Sequence, residues 1–170
     1  LDVLLVCGDE HANPPRHYLT NGAMVTGGYV LRRHGGAPVL IVNPMETEEA
    51  ARSGLEVHSY HDYGWGDLYK QMNGDQSKAT VVFWKRLLQG VGVESGRVGV
   101  YGAGEIHKYL ELIRLVEAEY AEYQFVGETG MTLFDEAYVT KDADEIARIR
   151  SVAERTSAVW QATWDFIGGN

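Results

Sequence analysis

Six histidines, one cysteine and one glycine-rich turn carry most of the reactive chemistry this chain could offer. The histidines stand at 11, 17, 34, 58, 61 and 107. His58 and His61 are three apart in "HSYH", a spacing that a helix brings to one face and a strand running into a loop does not. No cysteine or carboxylate cluster at a metal-ligand spacing completes them. Cys7 ends the apolar run "DVLLVC", where apolar surroundings raise a thiol's pKa and leave it inert. "GVYGAGE" places glycines at 99, 102 and 104 between a strand and a helix, a setting in which backbone amides can cradle a phosphate. The order is G-x-x-G-x-G, however, and Glu105 at the helix start repels an anion. A tight turn is therefore the better reading than a nucleotide site. G-x-S-x-G, P-loop and H-E-x-x-H patterns do not occur. By chemistry alone the chain shows no active site.

One loop remains. "NPPRHYLTNG" gathers a cation, an aromatic ring and several hydrogen-bonding groups into ten residues. Arg16 could grip a carboxylate with two parallel bonds, and Tyr18 and Asn21 could orient a small polar ligand. The same residues fit a structured turn equally well, with Tyr18 and Leu19 packed inward and Asn21-Gly22 turning the chain.

The elements that must hold these groups read as follows. "DVLLVCG" is a short apolar run, the pattern of a strand buried on both faces. "DEHANPPRH" reads as a loop fixed by Pro14 and Pro15. "MVTGGYVLRRHGGAPVLIVNP" reads as a hairpin turning at "HGG". "METEEAARSG" is a short helix with acids in its first turn and Gly54 as its stop. "LEVHSY" is a strand, and "HDYGWGDLYKQMNGDQS" is loop-rich with no clear period. A helix follows from Lys78 to about Gln89, then the strand "GRVGVYG", a helix through Ile106, Leu110, Ile113 and Val116, and the short strand "YQFVGE". "MTLFDEAYVTK" reads as a connector before the last helix. This alternation, with one early hairpin, predicts a three-layer α/β/α domain around a mixed sheet of about five or six strands.

The 170 residues suffice for a real core, and 45% hydrophobic with 23% charged residues is a globular balance. A net charge of −9 argues against a general nucleic-acid binder. No run approaches the roughly 20 apolar residues of a membrane span. "LDVLLVCGDEH" lacks the basic start of a signal peptide. A single cysteine fits a reducing, cytoplasmic setting. The chain opens on Leu1 rather than Met and closes on a long helix, so both ends read as cut.

Three stretches together resemble a family. "NPPRHYLTNG", then the hairpin and "VNPMETEEAARSGLEV", look like the start of the N-terminal domain of the creatinase/prolidase/aminopeptidase P group. "AYVTKDADEIARIRSVAERTSAVW" is similar to that group's domain junction, where a Lys, an acid and "E-I-x-x-I-R" open the first catalytic-domain helix. In the early turn this chain reads "PPRHYL", with His17 ahead of the tyrosine. The resemblance implies residues 1–138 as the N-terminal domain and 139–170 as the linker and first helix of a truncated pita-bread catalytic domain. It implies a parent metallopeptidase of Xaa-Pro type, with two divalent ions (manganese, cobalt or zinc) held by two Asp, one His and two Glu. Those ligands would lie beyond Asn170, so no catalytic, metal or cofactor residue is expected here, and the chain alone is expected to be inactive. Creatinase-like members cleave creatine without metal. The family further implies a homodimer in which this domain contacts its own catalytic domain and leans over the partner subunit's active site. Arg16, Tyr18 and Asn21 are the candidates to face substrate or partner, and peptide substrate is expected only for the full-length protein.

A stand-alone small-molecule or nucleotide-binding domain and a purely structural dimerisation module are the rival readings. In the last helix, Ile146, Ile149, Val152, Ala153, Thr156, Val159, Trp160, Thr163 and Phe166 or Ile167 fall on one stripe, which an ordinary last helix would bury on its own sheet. The family reading leaves Trp160, Trp164 and Phe166 as an interface exposed by truncation.

Overall fold

Strand formation starts with β1 (Val3–Cys7), whose burial on both faces matches its unbroken apolar run. The computed structural model describes residues 1–8 and 12–169. Next come α1 (Pro14–Leu19), β2 (Tyr29–Arg33) and β3 (Val39–Val42). A 3-10 turn at Pro44–Glu46 leads into α2 (Thr47–Ala51), then β4 (Glu56–Ser59). A second 3-10 turn, Tyr60–Tyr63, precedes α3 (Trp65–Gln71) and α4 (Gln76–Gly90). The chain continues through β5 (Gly96–Gly102), α5 (Ile106–Glu119), β6 (Tyr123–Val126), α6 (Leu133–Val139) and α7 (Ala143–Gly168).

The six strands form one sheet in the order β4-β3-β2-β1-β5-β6. β2 runs antiparallel to both its neighbours, and the other pairs are parallel. The sheet is therefore mixed, as its sequence predicts. Alternate strand residues point to opposite faces. Val3, Leu5, Cys7, Leu31, Ile41 and Val98 share one core cluster with Phe83, Trp84, Leu87 and Leu88 of α4 and with Leu112 and Val116 of α5. The intervening residues Val6, Val30, Leu40 and Val42 are equally buried and belong to the opposite face. There α2 meets β3 and β4, and α1 meets β1 and β5. This is the three-layer α/β/α arrangement. Each fully buried Leu or Phe in it contributes about 1.5–3 kcal/mol relative to exposure.

Three segments depart from their sequence reading. "PPRHYL" is a helix rather than a loop: its prolines occupy the first two helical positions, and the Asn13 side chain caps it by accepting from the Arg16 N–H. The "MTLFDEAYV" connector contains α6, opened by a capping box between Thr132 and Asp135. "HDYGWGDLYKQ" resolves into the second 3-10 turn and α3, with Gly64 at φ 71° between them.

The chain divides into two compact units, Leu1–Glu128 and Thr129–Asn170. The sheet and its covering helices α1 to α5 make the first. α6 and α7 belong to the second. No helix among the described residues is long and apolar enough to cross a membrane.

Candidate functional site

β1, β3, β4 and β5 all end at the same edge of the sheet, and β2 begins there. β1 stands between an antiparallel and a parallel neighbour, so the chain leaves it at a switch in strand order, where α/β sheets commonly open a crevice. Two side chains, Asn13 and Arg16, tie that edge together. The Asn13 amide donates to the Cys7 carbonyl at 2.9 Å. The Arg16 guanidinium donates to the Gly8 carbonyl at 2.5 Å and to the Thr26 carbonyl at 3.4 Å. Thr20 closes α1 by donating its hydroxyl to the Arg16 carbonyl at 2.9 Å. These bonds fix α1 to the end of β1 and to the approach into β2.

Glycines permit the same edge to close. A Cβ on Gly102, at φ 125°, would lie 1.8 Å from the Cys7 carbonyl oxygen, and one on Gly8, at φ 123°, would lie 1.9 Å from that of Ala103. Gly99 faces Leu1, with 2.6 Å available to a Cβ. The "GVYGAGE" glycines at 99 and 102 thus serve close backbone and side-chain approach.

Beside this edge, on the α4 and α5 side, lies a cavity of about 300 Å³. Gly8, Gly27 and Gly28 contribute backbone to its wall. Tyr29, Tyr60, Trp65, Phe83 and Tyr109 supply aromatic surface. Phe83 anchors the group: its ring centroid is 5.0 Å from Trp65, 5.5 Å from Tyr60 and 6.0 Å from Tyr29, all edge-on. Asn43, Gln76 and Thr80 add polar groups, and Lys108 is the charged side chain among the described lining residues. Its ammonium lies 5.7 Å from the Tyr109 ring centre. Burial pushes the Tyr60 hydroxyl up to about 12, reinforced by Glu46 and opposed by Arg16. Burial raises Tyr29 further, with Tyr60 adding to it. Both hydroxyls are protonated donors at neutral pH.

Arg16, Tyr18 and Asn21 lie on or just after α1 but differ in exposure. Arg16 is 2% exposed and spends its guanidinium on backbone carbonyls. Tyr18 is 37% exposed, and Asn21 is exposed at φ 53° in the turn that follows α1. The described histidines do not converge. His58 Nδ1 lies 2.7 Å from the Tyr63 hydroxyl and Nε2 lies 2.9 Å from Glu56, while His61 is exposed on the neighbouring turn. His11 lies outside the described residues. Among the described residues no group of three or more His, Cys, Asp or Glu is placed to hold a metal ion. Cys7 is buried in the core cluster.

In the second unit, α7 is a capped 26-residue helix with no buried residue. Asp142 and Glu145 form its capping box. Trp160, Trp164 and Phe166 are 64%, 61% and 73% exposed, and the two indoles stack at 5.5 Å with 5° between their planes.

Sequence reasoning missed the aromatic cavity. Trp65 lies in "HDYGWGDLYK", a segment without a helical or strand period, and Tyr60 directly precedes it. Tyr29, Phe83 and Tyr109 come from three other elements, and only the folded sheet edge brings them beside Tyr60 and Trp65.

No family model and no curated protein matches the chain. Solved structures do. An X-Pro aminopeptidase from Thermotoga maritima MSB8 aligns at a TM-score of 0.62 and 16% identity, over 96% of this chain and 40% of its own. A dipeptidase from Pyrococcus horikoshii OT3 aligns at 0.62 and 12% identity, with the same 96% and 40% coverage. The creatinase/prolidase N-terminal domain of an X-Pro dipeptidase from Streptococcus pyogenes aligns more weakly, at 0.42 and 13% identity over 75% of this chain. This chain thus spans less than half the length of the first two proteins. By fold, it is similar to a part of X-Pro aminopeptidase and dipeptidase structures, the group its sequence resembles.

Proposed function

We propose that this chain is the non-catalytic N-terminal domain of an Xaa-Pro peptidase-like metallohydrolase, together with the linker and first helix of its catalytic domain. The supporting observation is a fold shared over 96% of this chain with two peptidases of which it covers only 40%. The junction wording "KDADEIARIR", which opens α7 behind a full capping box, agrees with it. In this reading the domain is cytoplasmic, serves dimerisation and shapes the active site of the partner subunit. Tyr18 and Asn21 present the exposed surface of the α1 segment for that purpose. Arg16 holds the segment in place from beneath. Among the described residues no group of His, Cys, Asp or Glu is placed to hold the two divalent ions of such an enzyme. The reading assigns them to the rest of the protein, and no chemical step runs through residues 1–170.

The test is a paired assay. The longer protein, with manganese or cobalt added, is expected to hydrolyse Xaa-Pro peptides, and residues 1–170 alone are expected to give no turnover. Hydrolysis by residues 1–170, or creatine cleavage without metal by the longer protein in place of peptide hydrolysis, would overturn it.

A further inference from the structure

A second cavity, of about 500 Å³, is lined by the first half of α4 and the last turns of α5. Every residue of its described lining belongs to the first unit, and the peptidase reading gives it no role. Met72 at the end of α3, Val81 and Val82 of α4 and Leu115 of α5 form its apolar wall. Leu115 is left 40% exposed there. The volume lies within the range of small-molecule sites, which are mostly apolar with a few placed polar groups. No aromatic ring belongs to the described lining, so the wall offers no ring face for stacking. An aliphatic body matches it.

Charge selects the rest of the occupant. On the α4 side, Asp75 and Lys78 answer each other. Asp75 caps the helix by accepting from the Lys78 N–H at 3.1 Å, and its second oxygen lies 3.3 Å from the Lys78 ammonium. On the α5 side, Glu119 has no such answer. It is the last residue of α5, where the free carbonyls of a helix carry partial negative charge that a cation stabilises and a carboxylate does not. The last turn of α5 holds no basic residue. Lys85 is engaged elsewhere, 3.1 Å from Glu122 and 4.2 Å from the centre of the Tyr120 ring. Glu119 itself is exposed and makes no ion pair or hydrogen bond among the described residues. The lining thus presents one balanced pair and one unanswered carboxylate beside an aliphatic wall. An anion would meet Glu119 and the negative helix end together, whereas a cation relieves both.

We infer that this cavity binds a small aliphatic amine in its ammonium form, with the hydrocarbon body against Met72, Val82 and Leu115 and the ammonium toward Glu119.

Hexylammonium is the probe, titrated into residues 1–170 by calorimetry. 1-Hexanol and hexanoate are the neutral and anionic controls, and methylammonium is the control without a body. Methyl chemical shifts recorded alongside locate the site. Hexylammonium is expected to bind saturably and to shift the methyl signals of Met72, Val82 and Leu115. The three controls are expected to bind at least about tenfold more weakly, the effect of losing about 1.4 kcal/mol. Glu119→Gln keeps the size of the side chain and removes its charge. It is expected to weaken hexylammonium by a similar factor and to leave 1-hexanol unchanged. Its melting temperature without ligand should be no lower than that of the native chain, because a carboxylate leaves the negative end of α5. Leu115→Gln, at a part-exposed helical position, is expected to weaken hexylammonium and to leave methylammonium unchanged. Absence of saturable binding to the native chain, a hexanoate affinity equal to that of hexylammonium, or a hexylammonium affinity unchanged in Glu119→Gln would each overturn the inference. None of these outcomes depends on peptidase activity, so failure here leaves the proposed function standing.

Discussion

Arg16 shows how far a residue's chemistry and its use can diverge. A guanidinium in a polar loop could recognise a carboxylate, and the sequence alone leaves that reading open beside the structural one. In the fold the side chain is buried and clasps the carbonyls of Gly8 and Thr26, one after β1 and the other ahead of β2. Removing it strips charged donors from two buried or half-buried acceptors. Arg16→Ala is expected to lower unfolding stability by about 2–4 kcal/mol, read from urea denaturation. Arg16→Lys is expected to recover only part of that, because an ammonium lacks the planar fork that reaches both carbonyls. A stability unchanged in Arg16→Ala would show that the clasp is not structural. The burial of Arg16 was not legible because its acceptors are backbone atoms eight and ten residues away, which no side-chain pattern announces. The Asn21-Gly22 turn was legible from its residue types, whereas the sequence left Tyr18 open between facing outward and packing inward, because the helix that exposes it reads in sequence as a loop.

The elements repeat the lesson at larger size. β1 and β3 were legible as compact apolar runs next to glycine, proline or asparagine, and the other strands as short β-rich segments between turn residues. The long helices α4, α5 and α7 were legible because a 3.6-residue period has room to repeat. α1 and α6, of six and seven residues, are too short for a period, so only their caps could betray them. Those caps were in the sequence, as Asn13 before two prolines and Thr132 three residues before Asp135. The glycines of β5 were legible as a turn signal, but their purpose needed the strand order. β5 pairs with β1, and the register sets Gly102 opposite Cys7. The 1.8 Å gap to the Cys7 carbonyl leaves no space for a methyl group, and φ 125° disfavours any L side chain. Gly102→Ala is expected to separate the ends of β1 and β5 and to distort the adjoining edge. The loss should reach at least about 3 kcal/mol, combining overpacking with backbone strain. Gly127→Ala, where no atom lies within 4 Å of the added Cβ, is the matched control and should leave stability within about 0.5 kcal/mol. Equal melting temperatures for the two variants would mean that the β1–β5 edge relaxes freely.

At the scale of the whole molecule, the two units differ in how their apolar residues are satisfied. The first buries Trp84, Phe83 and most of its sheet, while α7 buries none of its residues. Helical stability in water comes mainly from packing an amphipathic face, and α7 carries one that includes Ile149, Val152, Trp160 and Trp164. The stacking of Trp160 on Trp164 covers part of each indole and leaves the rest in solvent. Exposed apolar surface of this extent marks an interaction face. In the proposed longer protein that face meets the catalytic domain. In residues 1–170 the available complement is a second copy, and an isologous pairing puts the same stripe on both sides. The weight-average mass from sedimentation is therefore expected to rise with protein concentration. The combined variant Trp160→Gln, Trp164→Gln, Phe166→Gln is expected to abolish that rise. Because α7 buries none of these side chains, the melting temperature of the first unit should not change. A mass that still rises in the triple variant would move the self-association to the first unit, where the proposed dimer surface of the N-terminal domain would then have to be sought.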